Sequence, residues 1–321
     1  MATPADSLLP SMKCPACGKQ DWRPLVATTG GDYVYCRHCR YHIRLDDGEE
    51  ARSDKFEQEQ QDFYGDDSFC MTELFAECQE WRVAWRMRVV QKYLSSGSLL
   101  EVGPGNGQAL NRFAELGYQV TGVEHSSTMA QLIRDRYGID IRVGAFEDQP
   151  FDDELFDAFL SFHVIEHVTQ VEAHLQKAAS VIRPGGFAMI ATPNADSWEH
   201  RSTGTLSPNF SPAHLQLFSK QSMKRLLEDS GWQLVEIITP CYTDAWLRVA
   251  SSVLRRMRGK QTAAGEMVMA SNTPFRRRLI KALRFVDWPL RTVQCGLGGG
   301  NELFVVAKRT EELILPPAVG S

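Results

Sequence analysis

One short segment of the chain combines a glycine-rich turn with two nearby carboxylates, a pattern that suits a nucleotide-like ligand. Residues 99–102 are apolar and lead into Gly103-Pro104-Gly105-Asn106-Gly107. A strand, a glycine turn and a helix N-terminus let backbone approach a nucleotide closely. Glu101 lies just before the turn, and a second apolar run, 120–123, ends in Glu124. An acid at the tip of the second strand can accept hydrogen bonds from both ribose hydroxyls.

The spacing of the glycines argues against a dinucleotide site. That fingerprint needs a third glycine to admit pyrophosphate at the helix N-terminus, and this chain has Gln108 there. The carboxylate of Glu101, placed on the strand before the turn, suits a ligand with a cationic end and no phosphate.

Two histidines and an acid form a second candidate site, in the sequence His163-Val164-Ile165-Glu166-His167. The spacing matches the H-x-x-E-H pattern of a class of zinc protease, in which two histidines share one helix face. An imidazole is also suited to take a proton near neutral pH. These residues alone leave three roles open: a general base, a metal ligand or a structural contact.

Four cysteines form a third candidate site near the N-terminus. Cys14 and Cys17, and Cys36 and Cys39, make two C-x-x-C pairs separated by eighteen residues, the spacing of a zinc site. Four thiolates close the tetrahedral shell of zinc and leave no position for water, so we expect a structural zinc ribbon. A redox dithiol and an iron–sulfur site are the alternatives. We expect His38 and His42 to be exposed rather than ligating, and the sequence between the pairs to form a hairpin around Gly30-Gly31.

Strand-like and helix-like patterns alternate from residue 98 onward and position the first two sites. The predicted elements are strands at 98–103, 118–123, 139–143, 156–162, 186–192 and 232–239, and helices at 108–116, 127–137, 170–182 and 219–230. This alternation predicts an α/β fold with a parallel sheet covered on both faces. Ligands bind at the carboxyl ends of such strands, where the glycine turn, Glu124, Phe146-Glu147 and Phe162-His163 all fall.

Five segments, in order, resemble motifs of the class I S-adenosylmethionine (SAM) dependent methyltransferases. They are the glycine turn with Glu101, Val123-Glu124, the stretch from Pro150-Phe151 to Phe156-Asp157, His163-Val164-Ile165-Glu166-His167-Val168, and Arg183-Pro184-Gly185-Gly186. The resemblance covers roughly residues 95–240, and 300–307 resembles the family's last strand. It implies a Rossmann-like class I methyltransferase sheet, here with an N-terminal zinc ribbon and a helical insertion before the last strand. The small-molecule enzymes of the ubiquinone pathway and the sugar C-methyltransferases look most similar.

The resemblance implies a set of residues that bind SAM. They are Glu101, Gly103, Pro104, Gly105, Asn106, Gly107, Glu124, His125, Phe146, Glu147 and Phe162. Where the family often has an acid that meets the adenine amino group, this chain has Ala145, so that contact is expected from backbone near Phe146, from Glu147 or from Asp148.

The resemblance also implies roles for the histidine segment. His167 is the first candidate for the catalytic base and His163 the second, since sugar C-methyltransferases use a histidine here. Ubiquinone-pathway enzymes hold a divalent cation with two acids and a histidine in a similar segment. In this chain His163 replaces the first of those acids.

Other segments are predicted to serve the acceptor. Residues 46–61 are polar and form a linker that becomes helical near Phe56, and apolar spacing predicts a helix over 69–94 that packs on the sheet. The resemblance implies that helices before the first strand cover the acceptor pocket, with Tyr64 as a candidate there. The polar loop 193–218 resembles the part of related enzymes that closes over the acceptor, with Trp198, His200 and His214 as candidates.

Residues 241–299 differ most from a minimal methyltransferase. Residues 241–291 contain eleven Lys or Arg and three acids, a local charge of +8 that leaves −13 on the rest of the chain. Apolar side chains interleave at helical spacing over 243–259 and 275–292, which predicts an interfacial module for anionic lipid, a phosphate-bearing substrate or an acidic partner. A solvated helical cover over the sheet is the alternative.

Composition limits the remaining choices. The 321 residues predict a ribbon over 1–45, a linker with helices over 46–95, a methyltransferase domain over 96–310 and a tail over 311–321. No apolar run has the length of a membrane span and no secretory signal is visible, so we expect a cytoplasmic protein, peripheral at the membrane through 241–299. A net charge of −5 argues against a general nucleic-acid binder.

The expected function is therefore methyl transfer from SAM to a small-molecule, sugar or lipid-linked acceptor. The alternative is a methyltransferase or binder that the ribbon directs to RNA or a protein partner, since basic residues surround the cysteines.

Overall fold

A computed structural model describes residues 12–28, 30–45, 73–241, 278, 282, 285–286 and 288–311, with side chains in the first helix from residue 80 onward. The predicted linker over 46–61, Tyr64, the predicted helix over 243–259, most of the one over 275–292, and 312–321 lie outside these residues.

The described residues form eleven strands and seven α-helices. In chain order they are β1 (Trp22–Thr28), β2 (Gly31–Cys36), β3 (His42–Leu45), α1 (Glu73–Tyr93), β4 (Ser98–Val102), α2 (Gln108–Glu115), β5 (Gln119–Glu124), α3 (Ser127–Tyr137), β6 (Ile141–Val143), β7 (Phe156–Phe162), α4 (Val171–Val181), β8 (Ile182–Pro193), α5 (Trp198–Thr203), β9 (Gln216–Leu217), α6 (Lys220–Asp229), β10 (Trp232–Ile238), α7 (Trp288–Gly296) and β11 (Glu302–Arg309). Three short 3-10 turns lie at Phe146–Asp148, Ile165–His167 and Gly204–Leu206.

Seven strands form the central sheet, in the order β10-β11-β8-β7-β4-β5-β6. The pairs β4–β5, β4–β7, β5–β6 and β7–β8 are parallel. Strands buried on both faces read as continuous apolar runs, as Leu99-Leu100 and Phe159-Leu160 do, and all four of these side chains are fully buried. The predicted α/β fold with a parallel core sheet is confirmed.

Helices cover the sheet through their apolar faces. Leu110 of α2 and Ile133 of α3 pack with Ile141 in one fully buried cluster. The helix α3 starts where the Ser126 side chain accepts a hydrogen bond from the Met129 amide, and it ends at Gly138, whose φ of 69° suits glycine. Such caps explain why the predicted helix boundary at 127–137 matches the structure.

A second, four-stranded sheet has the order β1-β2-β3-β9. The antiparallel hairpin of β1 and β2 confirms the one predicted around Gly30-Gly31. Its fourth strand, β9, comes from the predicted loop 193–218, which also contains α5 and a 3-10 turn. The prediction that residues 193–218 form a loop was therefore wrong where these three short elements occur.

The described residues divide into two compact units. One joins the cysteine-rich segment to Thr192–Met223 and to the residues that end at Phe304, and the other contains Glu77–Ala191, Lys224–Ile237 and the strand from Val305. Within the described ranges, no helix is both long and apolar enough to cross a membrane.

Candidate functional site

The glycine turn after β4 has a backbone that requires glycine. Gly103, Gly105 and Gly107 have φ values of 66°, 57° and 72°, in the left-handed region that other residues rarely adopt. A Cβ on Gly103 would lie 2.5 Å from Val164 Cγ2, and one on Gly107 would lie 2.8 Å from Ile133 Cγ1. Val164 and Ile133 therefore pack against the turn and leave no room for a Cβ at Gly103 or Gly107. The turn presents backbone at the end of β4, where a ligand can approach it closely.

Glu101 holds a buried carboxylate next to this turn. Its side chain is 2% exposed, and its Oε2 has no hydrogen-bond partner among the described residues. Burial raises the pKa of Glu101 to about 7; nearby Arg86 opposes the rise and Glu124 adds to it. A buried acceptor without a donor is costly, and a cationic group of a ligand would satisfy it.

Arg86 is the cationic side chain near this acid. It is buried on α1, and its guanidinium lies 4.5 Å from the centre of the Phe162 ring. Phe162 is itself 8% exposed at the end of β7. The predicted cofactor residues Glu101 and Phe162 therefore share a neighbour that the sequence interpretation did not name. The sequence did contain a signal for Arg86: it is a basic residue on the face of the predicted helix that carries the apolar Trp81, Trp85 and Val89.

Glu124 lies at the carboxyl end of β5, as predicted. It is 6% exposed, and its Oε1 accepts a hydrogen bond from the Ser126 amide at 3.0 Å. Burial raises the pKa of Glu124, and backbone hydrogen bonds partly offset this rise. His125, the next residue, is exposed.

The turn after β6 carries the residues expected near adenine. Phe146 is buried. The carboxylate of Glu147 contacts helix α4, where its Oε1 lies 2.6 Å from Nδ1 of the buried His174. Burial acts to raise the pKa of Glu147, but the hydrogen bond and the charge of His174 outweigh it and lower the pKa. Lys177, one turn further along α4, donates to the Gln149 carbonyl at 3.0 Å. Helix α4 therefore fixes this turn, a contact with no sequence signal that we could identify.

The histidine segment is not helical. His163 follows β7 with a φ of 61°, and only Ile165–His167 form a 3-10 turn. His163 and His167 therefore do not share the helix face that the zinc-protease pattern requires, and that geometry is not formed. A non-glycine residue held at positive φ is a local strain of the kind found at functional sites.

His163 and Glu166 form a histidine–carboxylate pair. The His163 Nδ1 lies 3.2 Å from Glu166 Oε1. Glu166 is completely buried, while the His163 side chain is 37% exposed. A carboxylate hydrogen-bonded to one ring nitrogen fixes the orientation of the imidazole.

The four ribbon cysteines converge as predicted. Their sulfur atoms all lie within 4.8 Å of one another, with Cys14 and Cys39 3.4 Å apart and Cys17 and Cys36 3.5 Å apart. A backbone hydrogen bond closes each C-x-x-C turn: the Gly18 amide donates to the Cys14 carbonyl, and the Arg40 amide donates to the Cys36 carbonyl. Both donor residues have positive φ. The donor set and its spacing fit a tetrahedral zinc ion.

One of the two histidines near the ribbon cysteines differs from the prediction. His38 is exposed as expected, but His42 is 4% exposed, because its ring packs against His200 at 5.4 Å between centroids. His200 is also buried, with its Nδ1 2.7 Å from Ser207 Oγ, and burial lowers its pKa to about 4. His200 is therefore a neutral packing residue, while His214 is half-buried and donates from Nδ1 to the Asn209 carbonyl at 2.8 Å.

Trp198, the third residue predicted on the acceptor side, starts α5. Its indole packs on a glycine turn so closely that a Cβ on Gly299 would lie 2.4 Å from the ring. Gly299 must therefore remain glycine for Trp198 to keep this position.

Comparisons with known proteins agree on the core of the chain. Residues 73–237 match the family described as "Methyltransferase domain". The chain is 29% identical over 173 residues to the ubiquinone biosynthesis O-methyltransferase of Bradyrhizobium sp., covering 48% of this chain and 66% of that protein. It is 39% identical over 106 residues to the ubiquinone biosynthesis O-methyltransferase of Rhodopseudomonas palustris, covering 32% of this chain and 41% of that protein. The chain thus spans less than two thirds of the length of either relative.

A solved structure shows the same fold. A SAM-dependent methyltransferase from Archaeoglobus fulgidus superposes with a TM-score of 0.50 at 17% identity, covering 76% of this chain and 100% of that one.

Proposed function

Because this chain belongs to the family of methyltransferase domains that its residues 73–237 match, we propose that it transfers the methyl group of SAM to a small-molecule, sugar or lipid-linked acceptor. One observation carries the proposal: at the edge of the glycine turn, the buried Oε2 of Glu101 receives no hydrogen bond from any residue that the structure describes. A ligand with an ammonium group supplies that donor.

The residues around the turn fit the parts of SAM. When bound, SAM supplies a methyl group on a sulfonium, which a nucleophile can attack in line. Glu101 would bind the ammonium of the amino-acid end, and Arg86, whose charge acts on Glu101, would bind the carboxylate of that end. Glu124 would accept from the ribose, and the turn Phe146–Asp148 would face the adenine.

His163 is the residue that we propose as the base, with Glu166 as the positioning carboxylate. Glu166 is fully buried and bonded to one ring nitrogen, so the imidazole is held in one orientation. A base contributes roughly 10²–10⁴ in rate when the acceptor must lose a proton. Alignment of acceptor and donor supplies most of the remaining acceleration. His167, the first candidate from sequence, remains the competing assignment.

We propose that the four ribbon cysteines bind one structural zinc ion. Elemental analysis is expected to find about one zinc per chain in the purified protein. The double variant Cys14→Ser with Cys36→Ser should lose the metal. Zinc that stays bound in that variant would contradict the assignment.

We also propose that the acceptor, or the surface that carries it, is anionic. Trp288, Val293 and Leu297 on and after α7 are 63%, 54% and 70% exposed, and Arg278 is exposed as well. The sequence places a charge of +8 around these apolar side chains. Apolar groups that enter an interface beside cations suit anionic lipid or a phosphate-bearing acceptor.

The proposed activity is tested with methyl-labelled SAM and fractionated extracts of small molecules and lipids. We expect label in at least one extract fraction, with the label lost in Glu101→Gln. Glu115→Gln is the matched control, because Glu115 is an exposed acid on α2. Calorimetric titration with SAM is the second readout; a folded chain that binds no SAM would overturn the proposal.

A further inference from the structure

The ribbon sheet depends on a strand from the middle of the chain. The strand β3 pairs antiparallel with β9, His42 with Leu217 and Ile43 with Gln216. The Arg44 amide extends this contact by donating to the Leu215 carbonyl at 2.9 Å. The ribbon and the 194–219 segment therefore form one hydrogen-bonded sheet within one compact unit.

Side chains of the ribbon bind the same segment at further points. The hydroxyl of Tyr33, on β2, lies 3.0 Å from the Ser211 carbonyl oxygen and 2.6 Å from that of His214. The Ser219 hydroxyl donates to the Cys39 carbonyl. Arg40, beside that cysteine, pairs with Asp196 at 2.9 Å. These contacts join the metal-binding turns to both ends of the 194–219 segment.

Apolar packing reinforces the polar contacts. Tyr33, Ala195, Phe210 and Leu217 form one buried cluster, against which Leu25 packs. The rings of Tyr33 and Phe210 lie 4.8 Å apart. The 194–219 segment contains a six-residue helix and a two-residue strand, too little to bury a core of its own. Residues 298–301 hold the start of the segment, through Asn194 and Trp198, and the ribbon holds residues 210–219.

We propose that zinc in the ribbon positions the 194–219 segment, so that metal occupancy controls engagement of the acceptor and leaves SAM binding unchanged. The acceptor part rests on the proposed function and on the predicted role of the loop 193–218 at the acceptor. Cys36 ends β2 and Cys39 precedes β3, so the metal fixes the two strands that carry Tyr33 and the β9 ladder. Tyr33 and Arg40 are positioning residues in this arrangement, and the ribbon supports the 194–219 segment.

The test uses the full-length, zinc-loaded chain and the variant Tyr33→Phe, which keeps the ring and removes the hydroxyl. We expect unchanged zinc content and a SAM dissociation constant within about twofold of the parent. Amides of peptides spanning 207–219 should exchange hydrogen about fivefold to tenfold faster, the scale of one lost hydrogen bond. Tyr35→Phe is the matched control, since Tyr35 lies on the same strand and is half-buried.

Zinc removal by a chelator gives the second arm. Exchange over 207–219 should rise further, whereas peptides covering β4 and β5 should keep their protection. Label transfer to a diluted acceptor extract should fall more than transfer to a concentrated one, which marks weaker acceptor binding. Unchanged exchange over 207–219 in both arms would overturn the proposal. Because exchange is measured without SAM, its outcome is independent of whether the methyl-transfer assignment holds.

Discussion

The guanidinium of Arg86 lies 4.5 Å from the ring centre of Phe162, and its charge acts on the buried carboxylate of Glu101. Helix α1 thus contributes a cation, strand β4 an acid and strand β7 an aromatic ring to the same place. A zwitterionic amino-acid end carries an ammonium that complements Glu101 and a carboxylate that complements Arg86. The glycine turn beside Glu101 leaves backbone free to approach the rest of such a ligand.

The affinity for SAM should rise with pH because of Glu101. Burial raises the pKa of this acid to about 7, so it is mostly protonated at pH 5.5 and ionises as the pH approaches 7. Only the ionised form pairs with an ammonium, so the dissociation constant should fall by up to about tenfold per pH unit below 7. Calorimetric titrations between pH 5.5 and 7 measure this. Glu101→Gln should bind weakly at every pH; a parent-like slope in that variant would refute the assignment.

The same ionisation affects stability with a defined sign. The folded pKa lies above the unfolded value, so the contribution of Glu101 is most favourable below about pH 4.5 and is lost as the pH rises through 7. Saturating SAM restores a partner for the ionised acid. The SAM-induced increase in melting temperature should therefore be larger at pH 7 than at pH 5.5.

Arg86→Gln should weaken SAM binding and raise the pKa of Glu101. The substitution removes the charge that favours ionised Glu101 and the charge proposed to meet the ligand carboxylate, so we expect a loss of tenfold or more in affinity near pH 7. Arg88→Gln is the control, because Arg88 is exposed on the same helix. The midpoint of the pH dependence should move upward in Arg86→Gln. An unchanged midpoint and affinity would show that Arg86 only packs against Phe162.

His163→Asn should lower turnover by roughly 10²–10⁴ and leave SAM affinity within a few fold, if the acceptor proton passes to this residue. Glu166→Gln should lower turnover less, since it disturbs the orientation of the ring. His167→Asn is the competing variant, and we expect a smaller effect from it. A turnover loss confined to His167→Asn would reverse the two assignments, and recovery of activity only on addition of a divalent metal would indicate a metal site instead.

The positions predicted correctly from sequence are those where local chemistry determines backbone shape. The turn at Gly103–Gly107 needs glycine at three left-handed positions, so its spacing was visible before the fold was known. His163 adopts a left-handed conformation that its residue type does not signal, so the H-x-x-E-H spacing could not show that the segment departs from a helix. The two-residue strand β9 is too short to produce an alternating pattern, and its partner β3 lies more than 170 residues earlier. His42 was predicted exposed because its burial depends on that long-range pairing.

The segment around α7 should bind anionic membranes if the proposed acceptor surface is a lipid. Trp288, Leu290, Val293 and Leu297 are exposed apolar side chains, while the sequence around them carries a charge of +8. Each cation near an anionic surface is worth about 1 kcal/mol, so changing Arg276, Arg277 and Arg278 together to Glu should abolish sedimentation with phosphatidylserine vesicles. Neutral phosphatidylcholine vesicles and high salt provide the controls, because screening removes an electrostatic contact. A loss of label transfer without any vesicle binding in the parent would indicate a phosphate-bearing acceptor. If the triple variant changes neither vesicle binding nor label transfer, the segment only covers the fold.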